Sequence, residues 1–356
     1  MPKKFQVKVY EDDGTTFLGV LTSVRNEPTF RAEMNGGYGE CVLDLNIAPD
    51  EIGSSLIDYM RFVKIYVFSE IYPTGKLIYT GFISQYSPYI RGADEGVRVT
   101  LLGLVSLLNF DYYKNGSAYT VAHSAVDPAV IVKAIIDHAN SVFPHSVLTY
   151  DTGGTSVATV GTNVTYTFEN DKWLDALKNG VSQAGDGWWW LVDHVGEVWL
   201  QDKPASATHA FTIGKDIEEF NGEKTTEEII NATQVRYDGG TQDDTDSASI
   251  AAYWRRGSIV EDSRIKNSAT AVSRASTEVD GKKNPVKNLR MVINSNYDLE
   301  SIRPGDTCKV RNWKLGDDLF GSNMQIVSMN YSLDRVELEL EVSRRNFGKE
   351  IEKLTA

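Results

Sequence analysis

Apolar and polar residues alternate along much of the chain. In the segment 41–47, Cys41, Leu43, Leu45 and Ile47 are apolar while Asp44 and Asn46 are polar, the period of two that marks a half-buried strand. Phe62–Phe68 is rich in β-branched and aromatic residues, and Leu77–Ile83 follows the turn residues Pro73, Thr74 and Gly75. Val97–Leu102 is a further strand, preceded by a polar turn over Arg91–Gly96. Short strands at this spacing predict a sandwich or barrel.

The period changes near residue 115. Asp127 and Pro128 stand where a helix cap and first helical residue belong, and Val130, Ile131, Ala134, Ile135 and His138 recur at helical spacing up to Pro144. A second helix begins near Asn170, with Trp173, Leu177 and Val181 four apart and Gly185 placed to end it. A hairpin follows: Trp188–Val192, a turn at Asp193–Gly196 with Asp193 and His194 as a solvated pair, and a return strand over Glu197–Leu200.

From about 206 the pattern is β again. Ile229–Tyr237 reads as a strand, Gly239–Ser249 as a mobile acidic loop, and Asp262–Val279 as a helix broken by Lys282–Pro285. Leu289–Ile293, a sharp turn at Arg303–Asp306, and strands over Cys308–Val310, Met324–Tyr331 and Val336–Val342 complete the pass. The last strand is the cleanest: Val336, Leu338, Leu340 and Val342 alternate with Glu337, Glu339 and Glu341 on a solvent face.

Composition narrows the function. The 356 residues suit two to three domains, and 41% hydrophobic content supplies more than one core. A formal net charge of −13 argues against a dedicated nucleic-acid binder, which needs cations to displace counterions from phosphates. Cys41 and Cys308 are far apart in apolar, strand-like surroundings and read as reduced, buried residues. The sequons at Asn163 and Asn231 read as chance matches. No signal peptide follows Met1, and no apolar run approaches the roughly 18 residues of a membrane span. The expected site of synthesis is a cytoplasm.

Chemistry leaves few traces. Five histidines (His123, His138, His145, His194 and His209) show no zinc-ligand spacing, and no metal, cofactor or catalytic residue is expected. Nucleophile-elbow and phosphate-loop patterns are absent. A glycosidase carboxylate pair leaves no local signature, but Glu218–Glu219 and Asp243–Asp244 read as loop acids. Trp188, Trp189, Trp190 and Trp199 form an aromatic cluster. Core packing is its first reading; a protein interface and sugar stacking are the others. Trp188, Trp189, Trp190 and Trp254 are the candidate interface residues.

Several segments together resemble the tail-hub and baseplate-hub family of tailed phages, which includes late control protein D relatives and the N-terminal part of tail-tip proteins. They are Cys41–Ile47 with Val63–Val67 and Leu77–Ile83; Trp173–Leu177 with Ala184–Gly185, Trp188–Asp193 and Gly196–Leu200; and Ser249–Tyr253 with Gly257, Asp262–Val279 and Leu299–Asp306. The sequence departs from the pattern in its heavier tryptophan strand and in Tyr253–Gly257, where relatives carry a plain Tyr-Gly.

The resemblance implies a mainly β fold with an α+β insertion. Two tube-type β-barrel domains would cover 1–115 and 206–261 with 286–347. A peripheral α+β domain would cover 116–205, a helical element 262–285, and a C-terminal tail 348–356. It also implies a virion protein of the tail tip or baseplate, without enzymatic activity. Three chains would form a homotrimeric ring of pseudo-six-fold symmetry, adapting a six-fold tail tube to a three-fold tip. Partners would be a tail tube or distal tail protein and a tip, spike or fibre protein, with DNA passing the lumen without specific binding. Two alternatives differ in kind: a carbohydrate or receptor-binding module using Trp188–Trp190, and a tail-associated cell-wall hydrolase.

Overall fold

The computed structural model describes residues 3–48 and 56–342, apart from 93, 144, 146, 152, 186, 205, 284–285 and 313–317. The expected tail 348–356 lies outside these residues. The first β region contains β1 (Lys4–Tyr10), β2 (Phe17–Leu21), β3 (Phe30–Glu33), β4 (Gly36–Leu45), β5 (Phe62–Phe68), β6 (Lys76–Arg91) and β7 (Asp94–Gly103). They pair in the order β3-β4-β7-β6-β5-β1-β2, antiparallel throughout. The period-two pattern fixes which face is buried. Val7, Val9, Leu43, Leu45, Ile65, Val67, Val97, Val99 and Leu101 are all fully buried on one side of this ladder.

Between the two β regions lies an α+β layer. It holds β8 (Thr120–Val126), α1 (Pro128–Val142), β9 (Val164–Glu169), α2 (Trp173–Ser182), β10 (Trp188–Val192) and β11 (Val198–Asp202). The start of α1 follows the sequence: the Asp127 side chain accepts from Ala129 N–H, and Pro128 occupies the first turn. β10 and β11 form the expected hairpin, and β10 also pairs with β4 of the first ladder.

The remaining elements are β12 (His209–Ile213), β13 (Ile217–Thr225), β14 (Ala232–Tyr237), β15 (Gly240–Thr245), α3 (Ser247–Tyr253), β16 (Gly257–Glu261), α4 (Ser268–Lys282), β17 (Val286–Asn294), β18 (Thr307–Asn312), β19 (Asp318–Tyr331) and β20 (Arg335–Val342). Six of them close into a ring, β12-β13-β17-β20-β19-β18 and back to β12. The ring joins the first ladder through β19 and β3. One core runs beneath both, from Val7 and Leu101 to Phe211, Met291, Ile326 and Leu338.

Four expectations change. The acidic segment Gly239–Ser249 is not a loop: β15 pairs along β14, and α3 begins at Ser247. Helix α4 begins at Ser268 rather than Asp262, because Asn267 caps it and Asp262 instead turns the chain by accepting from Arg264 N–H. Glu218, Glu219, Asp243 and Asp244 lie on strands β13 and β15 rather than in loops. Finally, β14, β15 and β16 form their own three-stranded sheet outside the ring. That sheet carries α4, and its core residues Val235, Ala271 and Ala275 merge with the α+β layer around Trp173 and Leu177. An ion pair between Arg264 and Asp171 (3.3 Å) crosses the same boundary.

Candidate assembly surfaces

The tryptophan hairpin is mostly core. Trp190 is buried among α1, α2 and β9 residues, and Trp188 packs half-buried against the same cluster. Trp189 faces the opposite side and is also buried. It lies over Gly305 in the Arg303–Asp306 turn, where an added Cβ would come within 2.4 Å of its ring. Gly305 has φ +90°, so glycine satisfies both the backbone and the contact. Neither Trp189 nor Trp190 can stack on a sugar in this arrangement.

Asp193, expected to be solvated, is buried. It accepts from the N–H groups of Val195 and Glu197 and from the Trp199 indole, at 2.9, 3.0 and 3.0 Å. Its position in a two-strand turn allowed this, but the indole partner six residues away gives no local sequence signal. The Arg303 guanidinium lies over the Trp199 ring, 4.8 Å from its centre. Burial holds the neighbouring His194 imidazole below its ordinary range, and its Nδ1 has no partner among the described residues.

These groups border a cavity of about 290 Å³ where the first ladder meets the ring, lined in part by Tyr38, Lys76, His194, Glu300, Arg303 and Tyr331. Its charges are largely matched. Lys3 pairs with Glu300 at 2.8 Å, the Tyr331 hydroxyl donates to the same carboxylate, and Asp306 pairs with His209 at 3.1 Å. His209 Nδ1 lies 3.0 Å from the Tyr297 hydroxyl. Burial beside Glu300 raises the Tyr331 phenol far above its usual value, so it stays a donor. The arrangement ties the two β regions together and offers no paired, solvent-open carboxylates. Cys41 and Cys308 are free, buried thiols, each pushed up to about 12 by desolvation. Among the described residues no cluster of His, Cys, Asp and Glu could hold a metal ion, and no helix is long and apolar enough to cross a membrane.

Trp254 is the contrast. It is 81% exposed at the end of α3, with φ +64°, a backbone conformation costly for a bulky residue. Buried Asn231 holds it there. The Asn231 amide donates to the Trp254 carbonyl at 2.7 Å and to the Ser249 hydroxyl at 3.2 Å, while its oxygen accepts from Arg256 N–H at 2.7 Å. Arg255, the next residue in the chain, is also exposed. A rigid, exposed Trp-Arg tip has the composition of an interface anchor. The sequon at Asn231 carries no sign of this role, which depends on partners 18 to 25 residues away.

No family model matches the sequence, and no curated protein matches it. Solved structures do. The 43 kDa tail protein of prophage MuSo2 from Shewanella oneidensis aligns with a TM-score of 0.63 at 13% identity, over 96% of this chain and 99% of that one. The tail protein from Neisseria meningitidis aligns with a TM-score of 0.63 at 10% identity, over 96% and 97%. A prophage tail protein from Listeria monocytogenes aligns with a TM-score of 0.59 at 11% identity, over 98% of each chain. From end to end, the chain has the fold of these phage tail proteins.

Proposed function

We propose that this chain is a structural hub protein of a phage tail or a related injection particle, located at the tail tip or baseplate and without enzymatic activity. Three copies would form a ring that adapts a six-fold tube to a three-fold tip and surrounds the DNA path. The observation that carries this reading is the joining of a seven-stranded ladder and a closed six-stranded ring over one core in a single chain. In this reading each would serve as one tube-like β unit, so three chains would present six of them around an axis. The full-length likeness to tail proteins supports the same reading. A net charge of −13 suits a wall that repels DNA phosphates. Partners would be a tail tube or distal tail protein above and a tip, spike or fibre protein below, with the Trp254 tip as one contact. Burial of Trp189 and Trp190 leaves the sugar-binding alternative without a platform. Electron microscopy of the purified chain tests the proposal. Rings with a three-fold axis and a central opening are expected; compact single-chain particles at every concentration would count against it.

A further inference from the structure

The cavity where the first ladder meets the ring has hydrogen-bond donors to spare. Tyr38 of β4 lines it and is 3% exposed, yet its hydroxyl has no hydrogen-bond partner among the described residues. Burial raises that phenol above its usual range, so it stays protonated and can donate. His194 lies against it with ring centres 5.6 Å apart, and neither imidazole nitrogen is bonded among the described residues. Arg303 lies over Trp199, and its ion-pair partner Asp306 is 3.6 Å away, beyond hydrogen-bond distance. Lys76 of β6 gives one bond, to the Tyr72 hydroxyl at 2.9 Å, although an ammonium carries three donors. Buried groups left unbonded in this way cost stability until something fills the space before them.

The acceptors, by contrast, are taken. Glu300 receives Lys3 and the Tyr331 hydroxyl, and Asp306 pairs with His209. The lining carries two cations, Lys76 and Arg303, and these two carboxylates, while burial favours the neutral form of the His194 imidazole. No net charge is left to hold an ion. The remaining wall is aromatic and apolar. Phe30 packs on Tyr38 and Tyr331, with ring centres 5.5 and 4.9 Å apart, and Ile78, Leu299 and Met329 join it.

We propose that this cavity binds a compact, uncharged molecule with an apolar body and a carbonyl oxygen, of the class of simple aromatic amides. The oxygen would accept from Tyr38 and Arg303, and the body would lie against Phe30, Ile78 and Met329. A volume of about 290 Å³ stands at the lower end of small-molecule sites and suits a molecule of that size. A carboxylate is a poorer occupant, because Glu300 and Asp306 border the same space. An ammonium is poorer too, because those carboxylates already have their donors. Tyr38 and Lys76 belong to the first ladder, while Glu300 and Arg303 belong to the segment leading into β18. A bound molecule would span this joint and stabilise it by linkage. The site does not depend on the hub reading.

Saturation-transfer NMR on the full chain with benzamide, benzoate and benzylamine tests it, since the probes share a ring and differ in charge. Benzamide should bind most tightly, at millimolar concentration or below, and should raise the urea midpoint. Tyr38→Phe removes one unbonded oxygen, so it should fold as wild type while weakening benzamide about three- to tenfold. Ile78→Phe adds bulk inside the cavity and should abolish binding. Circular dichroism and melting check its fold, and Tyr38→Phe decides alone if it fails to fold. Absence of transfer from benzamide would overturn the proposal. So would tighter binding of benzoate than of benzamide, which would make the cavity an ion site, or equal benzamide affinity in wild type and Tyr38→Phe.

Discussion

Trp190 is 2% exposed inside the α+β layer, and Trp254 is 81% exposed on the three-stranded sheet. The first is held by packing: it sits in a cluster with Trp173, Leu177 and Leu200. The second is held by polar bonds from Asn231 to the backbone around it, leaving its ring free. The difference separates tryptophan that builds the fold from tryptophan left at the surface. Four clustered aromatic residues in the sequence pointed to the hairpin, yet the isolated Trp254 is the side chain available for contact.

Substitutions should split along that line. Trp190→Ala should have the largest effect, lowering stability by about 3–5 kcal/mol through lost burial and a cavity, read as a shift in the urea midpoint. Gly305→Ala should cost about 2–3 kcal/mol, since it combines φ +90° with a Cβ against the Trp189 ring. An unchanged midpoint there would mean that the turn and hairpin can separate freely. Asn231→Ala should cost about 1–3 kcal/mol by stranding buried partners, and should also increase the mobility of Trp254, seen as lower fluorescence anisotropy.

Acidity gives a smaller and more graded test. Burial holds His123, His138 and His194 below their ordinary 6.5. The unfolded chain therefore takes up protons first as pH falls through 6.5. These groups stabilise the fold above that value, and their contribution is lost toward the depressed folded values. His138 adds a specific bond, accepting at Nδ1 from the Trp173 indole at 2.8 Å. The urea midpoint should drop between pH 7.5 and 5.5, and His138→Gln should flatten the drop. A wild-type midpoint constant over that range would contradict the burial argument. The smallest change belongs to Trp254→Ala, expected within about 0.5 kcal/mol of wild type in stability. Its effect should instead appear in assembly into the particle.

Where a pattern was local, the sequence carried it. The Asp127–Pro128 cap, the Trp188–Val192 strand and the alternation of β20 all appear as expected. The strand β15 was missed because Thr241–Thr245 has no apolar face; it is held by its register on β14. The start of α4 was placed too early because Ile265 fits the helical stripe, although it bridges to Tyr166 instead. The ring closure between β12 and β18, and the separate sheet in which β16 pairs along β14, depend on pairing between segments apart in the sequence. Hydrophobic period says which side of a strand is buried, not which strand lies beside it.

The mass of the purified chain in solution, followed over a wide concentration range at low salt, tests the central claim most directly. The account predicts a species three times the 39.6 kDa chain mass, growing in as concentration rises. A strict monomer across the whole range would contradict it.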